Sequence, residues 1–362
     1  MRRVELIQLG LGYVGRAVAQ TIIEERKRWR EEWNLDLHYR AVADTSGALV
    51  GEELLPQAIR LKEEGGKLSE LGVEPVEEVL VSEPAPGTTR VVVDLAVHGG
   101  TLDLDLLGVR NGSYLVLSNK GPLSGSSAET QELLRLAGNR LWCEATVGAG
   151  MPIISTLDML MDTGDEVLEI RASPSGTLGF IMSSVEGGRT FSEAVKEAVD
   201  LHYAEPDPRD DLSGLDVARK AIILARIMGK EIEPEEIAYE SLVPENLEEV
   251  SLEEFMERVW EADAEFAERM NSVRENHMLR YLALIPKDGP VEVGLTEAVV
   301  ESPFGPINGP ENVFEFRTRR YSDVTLTVSG PGAGPHRTAS GVVGDLLDIV
   351  RKVVREDSAE DA

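Results

Sequence analysis

The turn that follows the first predicted strand constrains the fold most strongly. Residues 3–8 are an apolar-rich run, and Gly10, Gly12 and Gly15 follow it with the spacing G-x-G-x-x-G, directly before a helical pattern. The first glycine permits a tight turn, the second lets backbone approach a pyrophosphate, and the third lets the helix pack on the strand. The N-terminus of that helix supplies amide donors for phosphate. We therefore expect dinucleotide binding by Gly10, Leu11, Gly12, Tyr13, Val14 and Gly15. The alternative is a glycine-rich turn without a ligand.

The strands that follow extend this interpretation to residues 1–150, which we predict to form a Rossmann-type α/β domain. LDLHYRAVAD is the second strand and ends at Asp44, where an acidic residue typically bonds the ribose hydroxyls of the cofactor. No arginine follows in TSGAL to hold a 2′-phosphate, which favours NAD over NADP, although later loops could contribute a cation. The alternative role of Asp44 is to cap the turn that follows it.

Two further strands are predicted to end in polar residues at the same edge of the sheet. VVVDLA is a buried strand ending near Asp94 and His98, and SYLVLSNK ends at Asn119 and Lys120. A lysine at the carboxyl end of a parallel strand points into the ligand crevice of such a sheet. The alternative is an exposed loop lysine.

A small-residue loop, TVGAG, follows Glu144. Such a loop exposes several backbone carbonyls, and these together with one carboxylate can coordinate a hard monovalent cation. The alternative is a tight hinge between domains with a capping glutamate.

The second half of the chain has a different pattern, with helices and alternating strands that predict an α+β domain over residues 151–329. Gly330, Gly332 and Gly334 precede a helix that we expect to begin near Thr338 and to return to the first domain, so that residues 330–355 complete it. This second glycine-rich helix start either meets the cofactor or is an ordinary capped helix. Residues 356–362 are predicted to be a disordered tail.

Residues 203–220, YAEPDPRDDLSGLDVARK, contain five carboxylates within eighteen residues. Asp216 and Lys220 are spaced i and i+4 on a predicted helix, which places them on one helix face. An acid and an amine one turn apart beside a carboxylate-rich loop suggest a site that handles protons. The alternative is a solvated acidic loop with a surface ion pair.

The charge limits the classes of partner. The formal net charge is −29, from 65 acidic and 36 basic residues, and only nine of the basic residues are lysine. Such a surface disfavours nucleic acid and anionic membranes as partners. Because an acidic surface repels itself at low ionic strength, we expect a protein from a high-salt cytoplasm that needs salt to stay folded.

The apolar residues and the cysteine count indicate the compartment. No apolar run approaches the length that spans a bilayer, and the first ten residues are a strand pattern and not a signal peptide. The single cysteine, Cys143, excludes an internal disulfide and a multi-cysteine metal site. We expect a cytoplasmic protein.

Six segments together resemble the homoserine dehydrogenase family, in the family's order and over nearly the whole chain: LGLGYVG, SNKGP, EATVGAGMPI, SGTLGF, YAEPDPRDDLSGLDVARK and GPGAGPHRTASGVV. The run DPRDDLSGLDVARK is the most specific of them. The resemblance implies an NAD(P)H-dependent interconversion of L-aspartate 4-semialdehyde and L-homoserine, on the route to threonine, methionine and isoleucine. It also implies a homodimer formed through the second-domain sheet.

The resemblance also implies roles for individual residues. Lys220 and Lys120 would be the catalytic lysines, and Asp216 would orient Lys220 and a water near the carbonyl oxygen. The other implied roles are substrate binding by Glu205, Asp211, Gly176, Thr177 and Tyr203, monovalent cation binding by Glu144 and the carbonyls of Val147, Ala149 and Met151, and a cofactor contact at Gly334 near Lys120.

The sequence departs from the family at two places. DLAVHGG lacks the hydroxyl residue that the family often places against the nicotinamide. The chain also ends about where the catalytic core ends, so we expect neither a C-terminal regulatory module nor a fused aspartate kinase, and no feedback inhibition by threonine through such a module. The alternative functions are another amino-acid dehydrogenase, such as aspartate dehydrogenase, and a cofactor-binding sensor without catalysis. A sensor would be expected to lack one of the two lysines, and both are present.

Overall fold

The computed structural model describes residues 2–97 and 100–360, with side chains described as far as residue 353. His98, which the sequence places near the end of the third strand, lies outside the described residues. The chain divides into two compact units, Met1–Gly150 with Ala333–Ala362, and Met151–Gly332. Within residues 2–97 and 100–360, no helix combines the length and the apolar character that crossing a bilayer requires.

The strands are, in chain order, β1 (Arg2–Leu9), β2 (Leu35–Asp44), β3 (Gly47–Val50), β4 (Thr88–Asp94), β5 (Tyr114–Leu117), β6 (Leu141–Trp142), β7 (Val167–Ser173), β8 (Ala238–Tyr239), β9 (His277–Pro286), β10 (Glu292–Val299), β11 (Glu311–Thr318) and β12 (Leu326–Pro331). The helices are α1 (Tyr13–Trp33), α2 (Leu55–Glu63), α3 (Val76–Val81), α4 (Leu102–Arg110), α5 (Gly121–Ser124), α6 (Ser127–Ala137), α7 (Ile154–Asp162), α8 (Gly176–Glu186), α9 (Phe191–Asp200), α10 (Arg209–Leu212), α11 (Leu215–Ile227), α12 (Leu252–Arg258), α13 (Asp263–Asn271) and α14 (Pro335–Glu360). Short 3-10 turns connect several of them.

The first unit contains a six-stranded sheet in the order β3-β2-β1-β4-β5-β6. All pairs are parallel except β2 with β3, which form an antiparallel hairpin. In register, Leu9 pairs with Asp94, and Asp94 pairs with Leu117. The turns after β1, β2, β4 and β5 therefore meet at one edge of the sheet. Strands β2 and β3 lie on one side of β1, and strands β4 to β6 lie on the other side, so the strand order reverses at β1. A ligand crevice is therefore expected between β1 and β4.

Helix α1 packs on this sheet with one apolar face. Val18 and Ile22 are fully buried, and Trp29 is nearly so, at spacings that fall on one side of a 3.6-residue helix. The helix ends at Asn34, which adopts a left-handed conformation with φ 55°. The same core cluster contains Leu346 of α14, so the C-terminal helix packs within the first unit.

Helix α14 differs from the sequence prediction at both ends. It begins at Pro335 and not near Thr338, because proline is well suited to the first helical turn. It continues to Glu360, through part of the segment predicted as a disordered tail, because Glu356, Ala359 and Glu360 favour continuation of the preceding helix. Residues 361 and 362 lie outside the described part of the chain.

The second unit contains a six-stranded sheet in the order β12-β11-β7-β9-β10-β8, antiparallel except for the short β8–β10 pair. Helices α8 and α11 pack on it. Between β8 and β9 the acidic part of this unit forms helices α12 and α13. The predicted combination of a parallel α/β domain with an α+β domain is confirmed.

Candidate functional site

The turn after β1 has the backbone that a phosphate-binding turn requires. Gly10 has a φ of 98°, and a side chain there would lie 2.9 Å from the backbone of Leu95. A side chain at Gly15 would lie 2.3 Å from the Gly10 carbonyl oxygen. A side chain at Gly12 would begin more than 4 Å from every described atom outside the adjoining backbone. Gly10 and Gly15 therefore serve close packing, whereas the open space at Gly12 allows a ligand to approach the backbone.

A buried glutamine that sequence reasoning missed braces this turn. Gln8 is fully buried in β1, and its Nε2 donates to the carbonyls of Gly10 at 2.9 Å and Gly15 at 3.1 Å. The Tyr39 hydroxyl donates to Gln8 Oε1 at 2.9 Å, which satisfies the amide on its other side. Tyr13, next to the turn, is 77% exposed. A buried polar residue in an otherwise apolar strand is the signal that could have identified Gln8.

Asp44 at the end of β2 is already hydrogen-bonded within the protein. Its carboxylate accepts from the Ser46 amide at 2.8 Å and the Leu68 amide at 3.1 Å, and it pairs with Lys62 Nζ at 2.9 Å. Burial raises the pKa of Asp44, but the bonds from Ser46, Lys62 and Leu68 outweigh it and leave the pKa below its usual value. Asp44 therefore caps the turn that follows β2, while its contact with a cofactor ribose stays a prediction. Lys62, on α2, is a cation that the sequence analysis did not place there, because it lies eighteen residues further along the chain.

Lys120 follows β5 and is half-buried at the N-terminus of α5. The turn that carries it is fixed by Asn119, whose Oδ1 accepts from the Gly121 amide at 3.0 Å and whose Nδ2 donates to Asp94 at 2.9 Å. Asp94 is fully buried at the end of β4. Asp94 and Asn119 therefore determine where the Lys120 backbone sits.

The loop that follows Glu144 is buried and sharply turned. Glu144 begins a 3-10 turn, Val147 is fully buried, and Gly148 and Ala149 both adopt left-handed conformations, with φ of 79° and 58°. The Glu144 amide donates to the Asp345 carboxylate of α14 at 3.0 Å. Burial, and then the charge of Glu144, raise the pKa of Asp345 well above its usual value. The first unit thus holds two carboxyl groups beside a loop of buried backbone.

Met151, from the predicted cation site, and Gly334, from the predicted cofactor site, make ordinary backbone hydrogen bonds. Met151 begins the second unit, and its carbonyl accepts from the Ile153 amide at 2.8 Å. Gly334 has a φ of 110° directly before α14, and its carbonyl accepts from the Thr338 amide at 2.9 Å. Among the residues that the structure describes, no three His, Cys, Asp or Glu side chains are grouped as a metal cluster.

Lys220 and Asp216 form an ion pair on α11. Lys220 Nζ lies 2.7 Å from Asp216 Oδ2 and donates to the Pro174 carbonyl at 2.7 Å. Lys220 is 9% exposed, whereas the Asp216 side chain is 44% exposed. The pair therefore has one buried and one accessible member, unlike an ordinary surface ion pair.

Gly214 sets the start of α11. Its φ is 74°, and a side chain there would lie 1.9 Å from the Tyr281 hydroxyl. Only glycine fits both the conformation and the space, so the helix that carries Asp216 and Lys220 starts at a fixed point.

The predicted substrate residues lie together in the same unit. Asp211 Oδ2 accepts from the Glu205 amide at 2.8 Å, and Thr177 Oγ1 donates to the Tyr203 carbonyl at 2.7 Å. Burial raises the pKa of Asp211 to about 6, with the charges of Glu205 and Asp216 acting in the same direction and hydrogen bonds from Glu205 and Thr177 opposing them. Glu205 and Tyr203 are exposed, so this carboxylate-rich surface is accessible. Gly176 opens α8, where a side chain would lie 3.0 Å from the Pro310 carbonyl.

Asp207 has the structural role that is expected of a loop cap. Its carboxylate accepts from the Arg209 amide at 3.0 Å and pairs with the Arg209 guanidinium at 2.6 Å. Arg209 in turn lies 5.4 Å over the Phe255 ring. Asp207 is thus an internal partner of Arg209 and separate from the acids that face the surface.

Comparison with known proteins gives consistent results. Residues 152–347 match the family model for homoserine dehydrogenase. Homoserine dehydrogenase of Saccharomyces cerevisiae is 38% identical over 255 residues, covering 68% of this chain and 71% of the yeast protein. Bifunctional aspartokinase/homoserine dehydrogenase 1 of Zea mays is 35% identical over 366 residues and covers 94% of this chain. The chain spans 38% of the length of the maize protein.

Solved structures show the same fold. A protein of unknown function from Candida auris superposes with a TM-score of 0.83 at 31% identity, covering 97% of this chain and 98% of that one. A hyperthermophilic archaeal homoserine dehydrogenase in complex with NADPH has a TM-score of 0.74 at 26% identity, with the same two coverages. Together, the family model and the yeast relative show that this chain belongs to the homoserine dehydrogenase family.

Proposed function

We propose that the protein is an NAD(P)-dependent oxidoreductase that interconverts L-aspartate 4-semialdehyde and L-homoserine. The observation that carries the proposal is the buried Lys220 ammonium, paired with Asp216 in the unit that also presents Glu205 and Asp211. A cation that can donate a proton and two acids that can hold an ammonium are the groups that a charged amino aldehyde requires.

The chain's own residues supply binding and proton transfer. Glu205 and Asp211 hold the ammonium group of the substrate, with Gly176, Thr177 and Tyr203 lining the pocket. Negative charge develops on the carbonyl oxygen during reduction, and Lys220 stabilises that charge and donates a proton to the oxygen. Asp216 holds the Lys220 ammonium and a water near that oxygen. NAD(P)H, when bound, supplies the hydride, and Lys120 is the second catalytic lysine.

The glycine turn fits a dinucleotide. The open space at Gly12 lets the Gly10–Gly15 backbone reach a pyrophosphate, and Gly334 supplies a further backbone contact. The archaeal relative was solved with NADPH, which supports use of NAD(P) here. We favour NAD, because a carboxylate at Asp44 would repel a 2′-phosphate, and the Lys62 ammonium that pairs with it would reduce that preference without reversing it.

The residues around Glu144 fit a monovalent cation. Glu144, with the carbonyls of Val147, Ala149 and Met151, gives an all-oxygen donor set, which suits sodium or potassium. Asp345 is a second acid beside Glu144, and burial, followed by the charge of Glu144, raises the pKa of Asp345. The cation would hold the loop in place.

The remaining features concern assembly and environment. We propose a cytoplasmic homodimer formed through the second-unit sheet, whose edge strand β12 is alternately half-exposed and exposed. Membership of the enzyme family supports a small-molecule substrate, whereas the net charge of −29 disfavours nucleic acid and supports a high-salt cytoplasm. Light scattering at high salt measures the mass of the protein in solution. A monomer mass would contradict the proposed dimer.

Comparison of two substrate sets tests the function. The absorbance of NADH is followed with aspartate 4-semialdehyde in high KCl, and separately with oxaloacetate and ammonium, the substrates of an aspartate dehydrogenase. Oxidation of NADH with the first set alone is expected. Oxidation with the second set alone would assign the protein to the alternative enzyme class.

A further inference from the structure

A second pair of acids lies behind the Lys120 turn. Asp94 and Asp105 are both fully buried, one at the end of β4 and the other in the first turn of α4. The Asp94 carboxylate accepts from the Ala96 amide at 2.9 Å, the Thr101 hydroxyl at 2.7 Å and the Asn119 amide group at 2.9 Å. Asp94 is thus supplied with donors that compensate a buried negative charge.

Asp105 has a different environment from Asp94. Neither of its carboxyl oxygens has a hydrogen-bond donor as partner in the described part of the chain. The charged group that faces it is Asp94. Two adjacent buried carboxylates cannot both be charged at low cost, and an uncharged acid with a carboxylate neighbour can donate its own proton to it.

We infer that Asp105 is held as an uncharged acid that donates its proton to Asp94, and that this pair is the positioning element for Lys120. The inference rests on the proposed function for the role of Lys120, but not for the protonation of Asp105. Burial, and then the charge of Asp94, raise the pKa of Asp105 well above its usual value, in agreement with this assignment.

The connection to Lys120 runs through a closed ring of hydrogen bonds. The Asn119 Nδ2 donates to Asp94 and also to Thr101 Oγ1 at 2.9 Å, and Thr101 donates to Asp94. The backbone carbonyl of Asp94 accepts from the Ser118 amide at 2.9 Å and the Asn119 amide at 3.2 Å. The ring joins the ends of β4 and β5 to the start of α4. In the inferred arrangement, the Asp105 carboxyl adds one more hydrogen bond to the Asp94 carboxylate. This bond fixes the Asp94 carboxylate in the orientation that Asn119 needs.

The sign of the pH dependence follows from the raised pKa. The unfolded chain loses the Asp105 proton at about pH 4, whereas the folded protein keeps it to higher pH. The Asp105 contribution to stability is therefore fully present below about pH 4 and is lost as the pH rises towards the folded-state value. An asparagine at this position keeps a neutral donor and has no proton to lose.

Three variants test the inference: Asp105→Asn, which keeps the donor, Asp105→Leu, which replaces it with an apolar side chain, and Asp103→Asn, which removes the same charge at an exposed position of the same helix turn. We expect the melting temperature of Asp105→Asn to exceed that of the parent by a margin that grows from pH 4.5 to pH 7. The Asp103→Asn protein should show no growing margin. An Asp105→Asn margin that is constant or shrinks over this range would overturn the protonation assignment.

Kinetics test the positioning role. In folded protein, Asp105→Asn should retain kcat within about twofold of the parent, whereas Asp105→Leu should lose kcat at least tenfold with a smaller change in KM, because a displaced Lys120 affects chemistry more than substrate binding. Equal kcat for the two Asp105 variants would contradict the inference. If the parent itself fails to reduce aspartate 4-semialdehyde, the proposed function is wrong, while the melting series still decides the protonation of Asp105.

Discussion

Lys220 Nζ lies 2.7 Å from Asp216 Oδ2, and the lysine is buried while its partner remains accessible. The i and i+4 spacing on α11 creates this contact, and the Pro174 carbonyl holds the ammonium from the other side at 2.7 Å. A lysine held by two acceptors, one of which can exchange with water, is fixed in position and still connected to solvent protons. This arrangement is the structural basis of the proposed proton transfer.

Removal of the Lys220 ammonium should stop turnover without affecting cofactor binding. We expect Lys220→Met or Lys220→Ala to lower kcat by roughly a hundred- to ten-thousand-fold, the usual cost of losing a positioned proton donor. The matched control is Lys287→Met, which removes an exposed ion pair with Glu166 and should leave kcat unchanged. NADH binding, followed by fluorescence titration, should be the same in all of these proteins. Turnover of a Lys220 variant within tenfold of the parent would refute its role.

Asp211 should give the enzyme an acid limb in its pH profile. Its pKa is raised to about 6, so the carboxylate gains a proton and loses its charge as the pH falls through that value. If the charged form binds the substrate ammonium, as proposed, kcat/KM for homoserine should fall tenfold per pH unit below about 6. Asp211→Asn should have low kcat/KM and no such limb, while the exposed neighbour variant Asp210→Asn should keep it. An unchanged acid limb in Asp211→Asn would assign the titration to another group.

Cofactor choice should respond oppositely to the two partners at the end of β2. Asp44→Ser removes the charge that is proposed to repel a 2′-phosphate, so the ratio of kcat/KM for NADPH to that for NADH should rise about tenfold or more. Lys62→Met should lower the same ratio, and the exposed-lysine control Lys67→Met should not change it. If the ratio changed in the same direction in Asp44→Ser and Lys62→Met, the Asp44–Lys62 pair would not determine the preference between NADPH and NADH.

Stability should increase with salt. With a net charge of −29, added KCl screens repulsion among surface carboxylates, so the melting temperature should rise steadily from low salt into the molar range. Calorimetry at matched pH measures it, and sucrose at equal osmolality serves as a control for general solute effects. A melting temperature that does not rise with KCl would remove the case for a high-salt cytoplasm.

Local sequence patterns predicted the parts of the fold that depend on short-range rules. The G-x-G-x-x-G turn, the strand ends at Asp44 and Asp94, and the Asp216–Lys220 spacing each follow from a few neighbouring residues. The start of α14 at Pro335 could also have been read correctly, because proline at the first helical position was visible in the sequence.

The features that the sequence did not reveal depend on residues far apart in the chain. Lys62 reaches Asp44 from a different helix, and Asp105 meets Asp94 only because α4 folds back over the end of β4. The role of Gln8 was missed for a related reason. Its side-chain amide is satisfied by the Tyr39 hydroxyl on the next strand, which the local sequence does not show. Hydrogen-bond satisfaction of buried polar groups is a property of the folded packing and not of local pattern.

The central claim is that this chain reduces aspartate 4-semialdehyde at a carbonyl whose oxygen is protonated from Lys220. The most direct measurement incubates the protein in high KCl with aspartate 4-semialdehyde and NADH deuterated on the transferred position, and analyses the product by mass spectrometry and NMR. The account predicts homoserine carrying one deuterium at C4 from the parent protein, and formation of that product at least about a hundredfold more slowly by Lys220→Met. Homoserine absent from the parent reaction, or formed equally by the Lys220→Met protein, would contradict it.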